Sequence, residues 1–308
     1  MSFLLVTKHR DMAPFKSAIK KVDPNIDVEI WPDVKNPKRV QFAVAWRHPK
    51  NVFSQYPNLK VISSLGAGVD HLMQDETIPD DVKITRIVTP SLSDQLSDYV
   101  LTAVLNLFRN TETYLEQQKK TEWTVHPFLN KQEVTIGVMG LGELGRTVAD
   151  RLRLNGFSVK GWSRTKKALD GIEAFSENEL SGFLNSTNIL VNLLPLTDQT
   201  EGILNLELFK QLKQPVFLIN AARGEHLVEE DLIYALDRNI IKHAVLDVFS
   251  EEPLPDSHPF WGREKITITP HVASITDPDE AAELLVENYK RTLSGINLLY
   301  EVDKEKEY

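Results

Sequence analysis

The sequence predicts an α/β protein built from two Rossmann-like, doubly wound parallel-sheet domains with a cleft between them. Three observations predict it. Short apolar runs alternate with segments of helical periodicity along the whole chain. A glycine-rich turn, Gly140-Leu141-Gly142-Glu143-Leu144-Gly145, sits between one such run and one such segment near the middle. And 308 residues, 42% of them hydrophobic, bury two cores more readily than one.

In the first part of the chain, residues 3–6, 42–45 and 61–62 are apolar and bounded by Pro, Asn and Asp, the pattern of buried parallel strands. Residues 83–88 read as a further strand, ended by Pro90. Leu96, Val100, Val104, Leu107 and Phe108, followed by Tyr114 and Leu115, keep a spacing of three and four. That spacing predicts one long helix from 97 to about 119. Its apolar stripe exceeds what one domain needs, so a twofold homodimer is expected. A second βα series follows, with strands over 134–139, 157–162, 189–194, 216–220, 244–248 and 265–269 and helical patterns between most of them. Helix returns over about 278–293, and residues 303–308 read as a solvated tail. These elements place one domain at 97–274 and a discontinuous one at 1–96 plus 275–308, with closure expected as a hinge between the two crossings.

Composition removes several functions. The chain has no cysteine, hence no disulfide, thiolate metal site or cysteine nucleophile, which fits a reducing, cytoplasmic setting. A net charge of −9 argues against nucleic acid as a partner. No apolar stretch approaches the roughly 20 residues that span a bilayer, and the N-terminal apolar run is too short for a signal segment. No ligand spacing for a metal and no G-x-S-x-G hydrolase turn is present.

The glycine turn has the context that gives it meaning, with a strand before it and a helix with Leu144, Val148 and Leu152 on one face after it. Gly140 permits the tight turn, Gly142 admits a pyrophosphate to the backbone, and Gly145 lets helix and strand pack closely. The helix start then offers free amides and a partial positive charge, so a dinucleotide is the expected cofactor. The next strand ends Trp162-Ser163-Arg164-Thr165-Lys166-Lys167. It lacks the acid that would hold a ribose 2′-hydroxyl, and a guanidinium clamps a 2′-phosphate well. NADP is therefore the preferred cofactor, with NAD possible as well; a solvated basic turn is the plainer alternative.

Three segments at predicted strand ends carry an arginine, a glutamate and a histidine: Asn220-Ala221-Ala222-Arg223-Gly224, Glu251-Glu252-Pro253 and Thr269-Pro270-His271. Reduction of a 2-keto acid needs these groups. Arg223 can fork onto the carboxylate and carbonyl oxygens. An imidazole such as that of His271 can donate a proton near neutral pH, and a carboxylate such as Glu252 beside it would favour its charged form and fix its tautomer. Taken singly, each has a plainer reading: a structural ion pair, an acidic turn, a surface histidine. Convergence on the ends of one sheet beside a cofactor turn outweighs them. His9, His48, His126, His243 and His258 are read as structural or exposed, and His226 as a surface residue.

These segments, in this order and spacing, resemble the signatures of the D-isomer-specific 2-hydroxyacid dehydrogenases, of the formate/glycerate dehydrogenase-like fold. The resemblance spans nearly the whole chain. It implies catalytic roles for Arg223, Glu252 and His271, and a loop, Leu65-Gly66-Ala67-Gly68, that holds the substrate carboxylate through backbone amides. It also implies cofactor contacts from Gly140, Gly142, Glu143, Leu144, Gly145, Ser163, Arg164, Thr165, Leu194, Pro195, Thr200, Ala221 and Asp247. The acid-free Trp162-Ser163-Arg164 and the 193–197 loop are similar to a branch that reduces glyoxylate and hydroxypyruvate. Trp46, at a strand end, can cap a small substrate, Arg47 can assist, and Trp123 is a further candidate. The competing readings are an NAD-linked lactate- or phosphoglycerate-type dehydrogenase and a nucleotide-sensing, non-catalytic binding protein.

Overall fold

The computed structural model describes residues 2–8, 10–127, 130–212 and 216–307; His9 and Tyr308, which enter the sequence reading above, lie outside them. The chain divides into two compact units, one of Met1–Leu92 with Ile275–Tyr308 and one of Ser93–Ser274.

The first unit contains β1 (Ser2–Thr7), α1 (Ala13–Val22), β2 (Asp27–Ile30), β3 (Val40–Trp46), β4 (Val61–Ser64), α2 (Asp70–Met73) and β5 (Lys83–Thr85). Its strands are all parallel, in the order β2-β1-β3-β4-β5. Successive side chains alternate between two cores: Phe3, Leu5, Phe42 and Val44 enter one, Leu4, Val6, Ala43 and Ala45 the other. Burial on both faces is why these strands read as unbroken apolar runs. The strand order reverses between β1 and β3, and their paired last residues, Thr7 and Trp46, mark that switch point.

Next come α3 (Pro90–Phe108) and α4 (Thr111–Lys119). The second unit continues with β6 (Thr135–Met139), α5 (Glu143–Leu154), β7 (Ser158–Trp162), β8 (Glu173–Phe175), α6 (Leu180–Leu184), β9 (Ile189–Asn192) and α7 (Leu206–Phe209). It closes with β10 (Val216–Asn220), α8 (Glu229–Asp237), β11 (Ile241–Leu246) and β12 (Ile266–Ile268). The parallel sheet runs β12-β11-β10-β9-β6-β7-β8, reversing between β9 and β6. Ile136, Val138, Ile189 and Val191 face the core shared with α3 and α5, whereas Met139 and Leu190 face the opposite one. The chain then returns to the first unit as α9 (Pro278–Ser294). Asp277 caps α9 by accepting from the amides of Asp279 and Glu280, and Gly295 ends it in the left-handed region.

The sequence reading is corrected in three places. The long helix is two: Asn110 adopts a left-handed conformation (φ 55°), which asparagine tolerates, and Leu115 beyond it is exposed. Leu96, Val100, Val104 and Leu107 are buried in the core of their own unit, so these four residues are not surplus apolar surface. Pro90 begins α3 instead of separating it from the strand, since the first helical turn does not need its missing N–H. The strands β2 and β8 lack a strong apolar run because both are short sheet edges with acidic residues, Asp27 and Glu29 in one and Glu173 in the other. Among the described residues no helix is long and apolar enough to cross a membrane.

Candidate active site

The glycine turn lies at the switch point of the second sheet. Gly140 (φ +99°) follows β6, and a Cβ there would stand 2.6 Å from the carbonyl oxygen of Leu193, the residue after β9. Gly145 lies in the first turns of α5, and its Cβ would be 1.8 Å from the Gly140 carbonyl oxygen, so only glycine allows the helix to sit this close. Gly142 differs: a Cβ there would meet nothing within 4 Å. The space in front of Gly142 is open beside the first amides of α5, which is the cradle a pyrophosphate fits. Glu143 and Leu144 occupy the first turn of α5, exposed and half-buried respectively.

At the end of β7, Ser163 is buried and its hydroxyl donates to the Thr165 carbonyl (2.8 Å), which leaves its oxygen to accept. Thr165 is exposed and Arg164 half-buried. Lys166 pairs with Glu179 at 3.2 Å. The opposite wall of the glycine turn is built by the segment after β9. Leu194 is buried, its amide donating to the Asn192 carboxamide (3.3 Å). The Thr200 hydroxyl donates to the Pro195 carbonyl (2.7 Å), closing this loop on itself.

Arg223 follows β10 in extended conformation (φ −140°, ψ 150°). The Asn220 side chain donates to its carbonyl (2.9 Å) and accepts from Asn192 (3.0 Å), while the Arg223 guanidinium donates to the Ala222 carbonyl (2.8 Å). Ala221 is half-buried against the core, its amide donating to the Asn192 carbonyl (3.4 Å). A Cβ on Gly224 would stand 1.9 Å from the backbone carbon of Phe249, so the arginine turn lies directly on the segment that leads to Glu252.

Glu252 and His271 meet. The Nδ1 of His271 is 2.8 Å from Oε2 of Glu252, and Oε1 of the same carboxylate accepts from the Phe249 amide (2.9 Å). His271 has a left-handed backbone (φ +54°), a strained state for a residue with a Cβ. Asp247 holds it there. The His271 amide donates to the Asp247 carbonyl (2.8 Å), and the Asp247 carboxylate accepts from the amides of Val272 (2.9 Å) and Ala273 (2.8 Å). The Thr269 hydroxyl also donates to Asp247 (2.6 Å). With its only proton so placed, Thr269 accepts from the Tyr99 hydroxyl of α3 at 2.7 Å. Burial pushes the Tyr99 phenol up to about 12, so it remains a donor.

The sequence predicts neither Tyr99 nor His226 at this end of the sheet. Tyr99 sits in an ordinary helical pattern with nothing in sequence to single it out. His226, expected at the surface, is fully buried, its ring nitrogens each 3.2 Å from a carbonyl oxygen, of Arg223 and of Pro195. The run of apolar Leu227 and Val228 after it was the available signal. Among the described residues, four further histidines have structural partners: His48 with Asp75 (2.7 Å), His258 with Glu229 (3.0 Å), His243 with the Thr267 hydroxyl (2.8 Å) and the ring of His126 with that of Tyr114. Trp123 is exposed, following α4.

The first unit gathers its own group. Trp46 lies against His71, ring centroids 5.0 Å apart, and a Cβ on Gly66 would be 3.4 Å from the Trp46 ring. The Leu65 amide donates to the Ala45 carbonyl (2.9 Å) and the Gly66 amide to the Ser64 hydroxyl (3.3 Å). Leu65 is thus a wall and not a donor to an anion. Among the described residues no backbone partner engages the amides of Ala67 and Gly68.

Residues 101–273 match the family model described as D-isomer specific 2-hydroxyacid dehydrogenase, NAD binding domain. The chain is 40% identical to glyoxylate/hydroxypyruvate reductase A of Photorhabdus laumondii over 92% of its own length and 93% of that protein. A D-isomer specific 2-hydroxyacid dehydrogenase from Xanthobacter autotrophicus Py2, crystallised with NADPH and MES, superposes with a TM-score of 0.95 at 38% identity, covering 100% of this chain and 99% of that one. An NADPH-dependent glyoxylate/hydroxypyruvate reductase from Sinorhizobium meliloti, in complex with NADP and sulfate, gives 0.93 at 35% identity, with both chains covered completely.

Proposed function

The chain belongs to the D-isomer specific 2-hydroxyacid dehydrogenase family of oxidoreductases, and from this premise we propose that it reduces a small 2-keto acid, glyoxylate or hydroxypyruvate, to the D-2-hydroxy acid with NADPH as the preferred cofactor. The observation that carries the reading is the His271–Glu252 contact on the same sheet as the open glycine cradle.

In this reading the α5 amides and Gly142 hold the pyrophosphate, and the guanidinium of Arg164, a donor throughout, meets the 2′-phosphate. The nicotinamide cofactor, when bound, supplies the hydride. Arg223 binds the carboxylate and the carbonyl oxygen, drawing charge toward the atom that becomes the alkoxide. Glu252 takes the Nδ1 side of the imidazole, fixing the ring so that His271 delivers a proton to that oxygen from Nε2. In the reverse direction the neutral ring removes the proton. Taken by itself, the first unit offers the amides of Ala67 and Gly68 as donors for an anion, with Trp46 packed against Gly66 beside them.

NADPH in preference to NADH is supported by the absence of an acid at the end of β7, and by the relatives crystallised with NADPH and NADP. The test is loss of NADPH or NADH absorbance with glyoxylate and with hydroxypyruvate. Oxidation faster with NADPH is expected. Faster turnover of NADH would overturn the cofactor assignment, and no turnover of either keto acid would overturn the substrate assignment.

A further inference from the structure

We propose that His226 is a positioning residue that clamps two binding elements of the second unit together, the arginine turn and the 193–195 wall of the glycine cradle. The inference rests on the reading that Arg223 serves the substrate and that this wall serves the dinucleotide. The ring is fully buried, Nδ1 is 3.2 Å from the Arg223 carbonyl oxygen, and Nε2 is 3.2 Å from the Pro195 carbonyl oxygen, 31 residues away in sequence. Carbonyl oxygens only accept, so holding both of them takes an N–H on each ring nitrogen, which is the protonated ring.

Each end of the clamp lies where position matters. The Leu193 amide donates to the Met139 carbonyl (2.8 Å), and Leu193 itself blocks any side chain at Gly140, so the segment leading to Pro195 is the wall of the glycine turn. The Arg223 carbonyl belongs to the residue whose guanidinium is assigned to the substrate. A small shift of either carbonyl displaces a binding group, and displacements of about an ångström cost orders of magnitude in turnover.

The fold around His226 has ties that do not use the ring. The Leu204 amide donates to the His226 carbonyl (2.8 Å), the Gly202 amide to the Glu225 carbonyl (2.9 Å) and the Val228 amide to the Leu204 carbonyl (3.1 Å). Polar substitutions of the ring therefore leave this segment in place, and the two contacts can be removed one at a time. An asparagine amide occupies the Nδ1 position and a glutamine amide the Nε2 position.

His226→Asn and His226→Gln are compared by fluorescence titration with NADPH, by keto-acid KM and kcat, and by Tm. His226→Asn keeps the Arg223 contact and loses that to Pro195; its NADPH Kd is expected to rise about tenfold, with keto-acid KM nearly unchanged. His226→Gln does the converse, with keto-acid KM raised or kcat lowered about tenfold and NADPH Kd nearly unchanged. This split supports the clamp, since a residue that merely fills the core would lower Tm in both variants without separating the two constants. Active wild-type protein whose variants show no such split overturns the clamp. Wild-type protein that binds NADPH yet reduces no keto acid overturns the functional reading instead, and the His226→Asn titration still decides the Pro195 half of the clamp.

Discussion

The Nδ1 of His271 lies 2.8 Å from Oε2 of Glu252, and the partner oxygen of that carboxylate is anchored by the Phe249 amide. A carboxylate anchored on one oxygen orients the imidazole through the other, and both side chains are largely shielded from water. Glu252→Gln keeps the shape and the Phe249 contact but loses the charge and the fixed tautomer. It is expected to lower kcat about a hundredfold or more while leaving NADPH affinity within about threefold, as read by steady-state kinetics and equilibrium titration.

Two glycines separate folding from binding. Gly224→Ala drives a Cβ to 1.9 Å from the Phe249 backbone, where neither chain can yield cheaply. A loss on the order of 2–3 kcal/mol is expected in chemical denaturation. Gly142→Ala meets nothing within 4 Å, at a φ of −73° open to alanine. Its stability is expected to stay within about 0.5 kcal/mol of wild type while NADPH Kd rises at least about tenfold. Loss of stability without weaker binding would show that the space at Gly142 has another use.

Arg223, Glu252 and His271 were legible as candidates because each follows a strand of the second sheet, where period and chemistry reinforce each other, and the structure brings Glu252 and His271 together. The glycine turn was legible for the same reason, and its three sites carry the distinct steric demands expected of them. Asp247 was assigned to the cofactor, yet its carboxylate gathers Thr269, Val272 and Ala273. Those partners lie more than twenty residues away, and no local pattern encodes them. His226 was misplaced because a histidine after Gly and Glu resembles a polar turn, and only the packing of residues 200–204 against it makes the site buried. The helix break at Asn110 was missed because apolar spacing carries no information about a left-handed residue.

His243 carries an acid liability. Burial pulls its imidazole from the ordinary 6.5 down to about 4, so the folded protein holds the ring neutral. The unfolded chain binds the proton first as pH falls, and stability is lost between about pH 6.5 and pH 4, by about 3 kcal/mol in full. His243→Gln is expected to flatten this part of the stability–pH curve in denaturation series, even where it lowers stability at neutral pH. An unchanged slope would remove His243 as the cause.

Arg164 and Lys166 are neighbours with different expected roles. Lys166 is paired with Glu179 at 3.2 Å, whereas Arg164 is half-buried at the end of β7. Arg164→Gln is expected to weaken NADPH about ten- to hundredfold and NADH by less than about threefold, as a lost charge-assisted contact to a 2′-phosphate requires. Lys166→Gln should leave the ratio of the two affinities unchanged. Equal weakening of both cofactors by Arg164→Gln would count against a 2′-phosphate contact.

His271 is assigned the proton in the keto-acid reduction, and hydroxypyruvate-dependent NADPH oxidation by wild type and His271→Ala measures that role. With cofactor saturation verified by titration in both proteins, wild type is expected to turn over hydroxypyruvate and His271→Ala to fall by about a thousandfold or more. Turnover by His271→Ala within about tenfold of wild type would contradict the assignment of His271 as the proton donor.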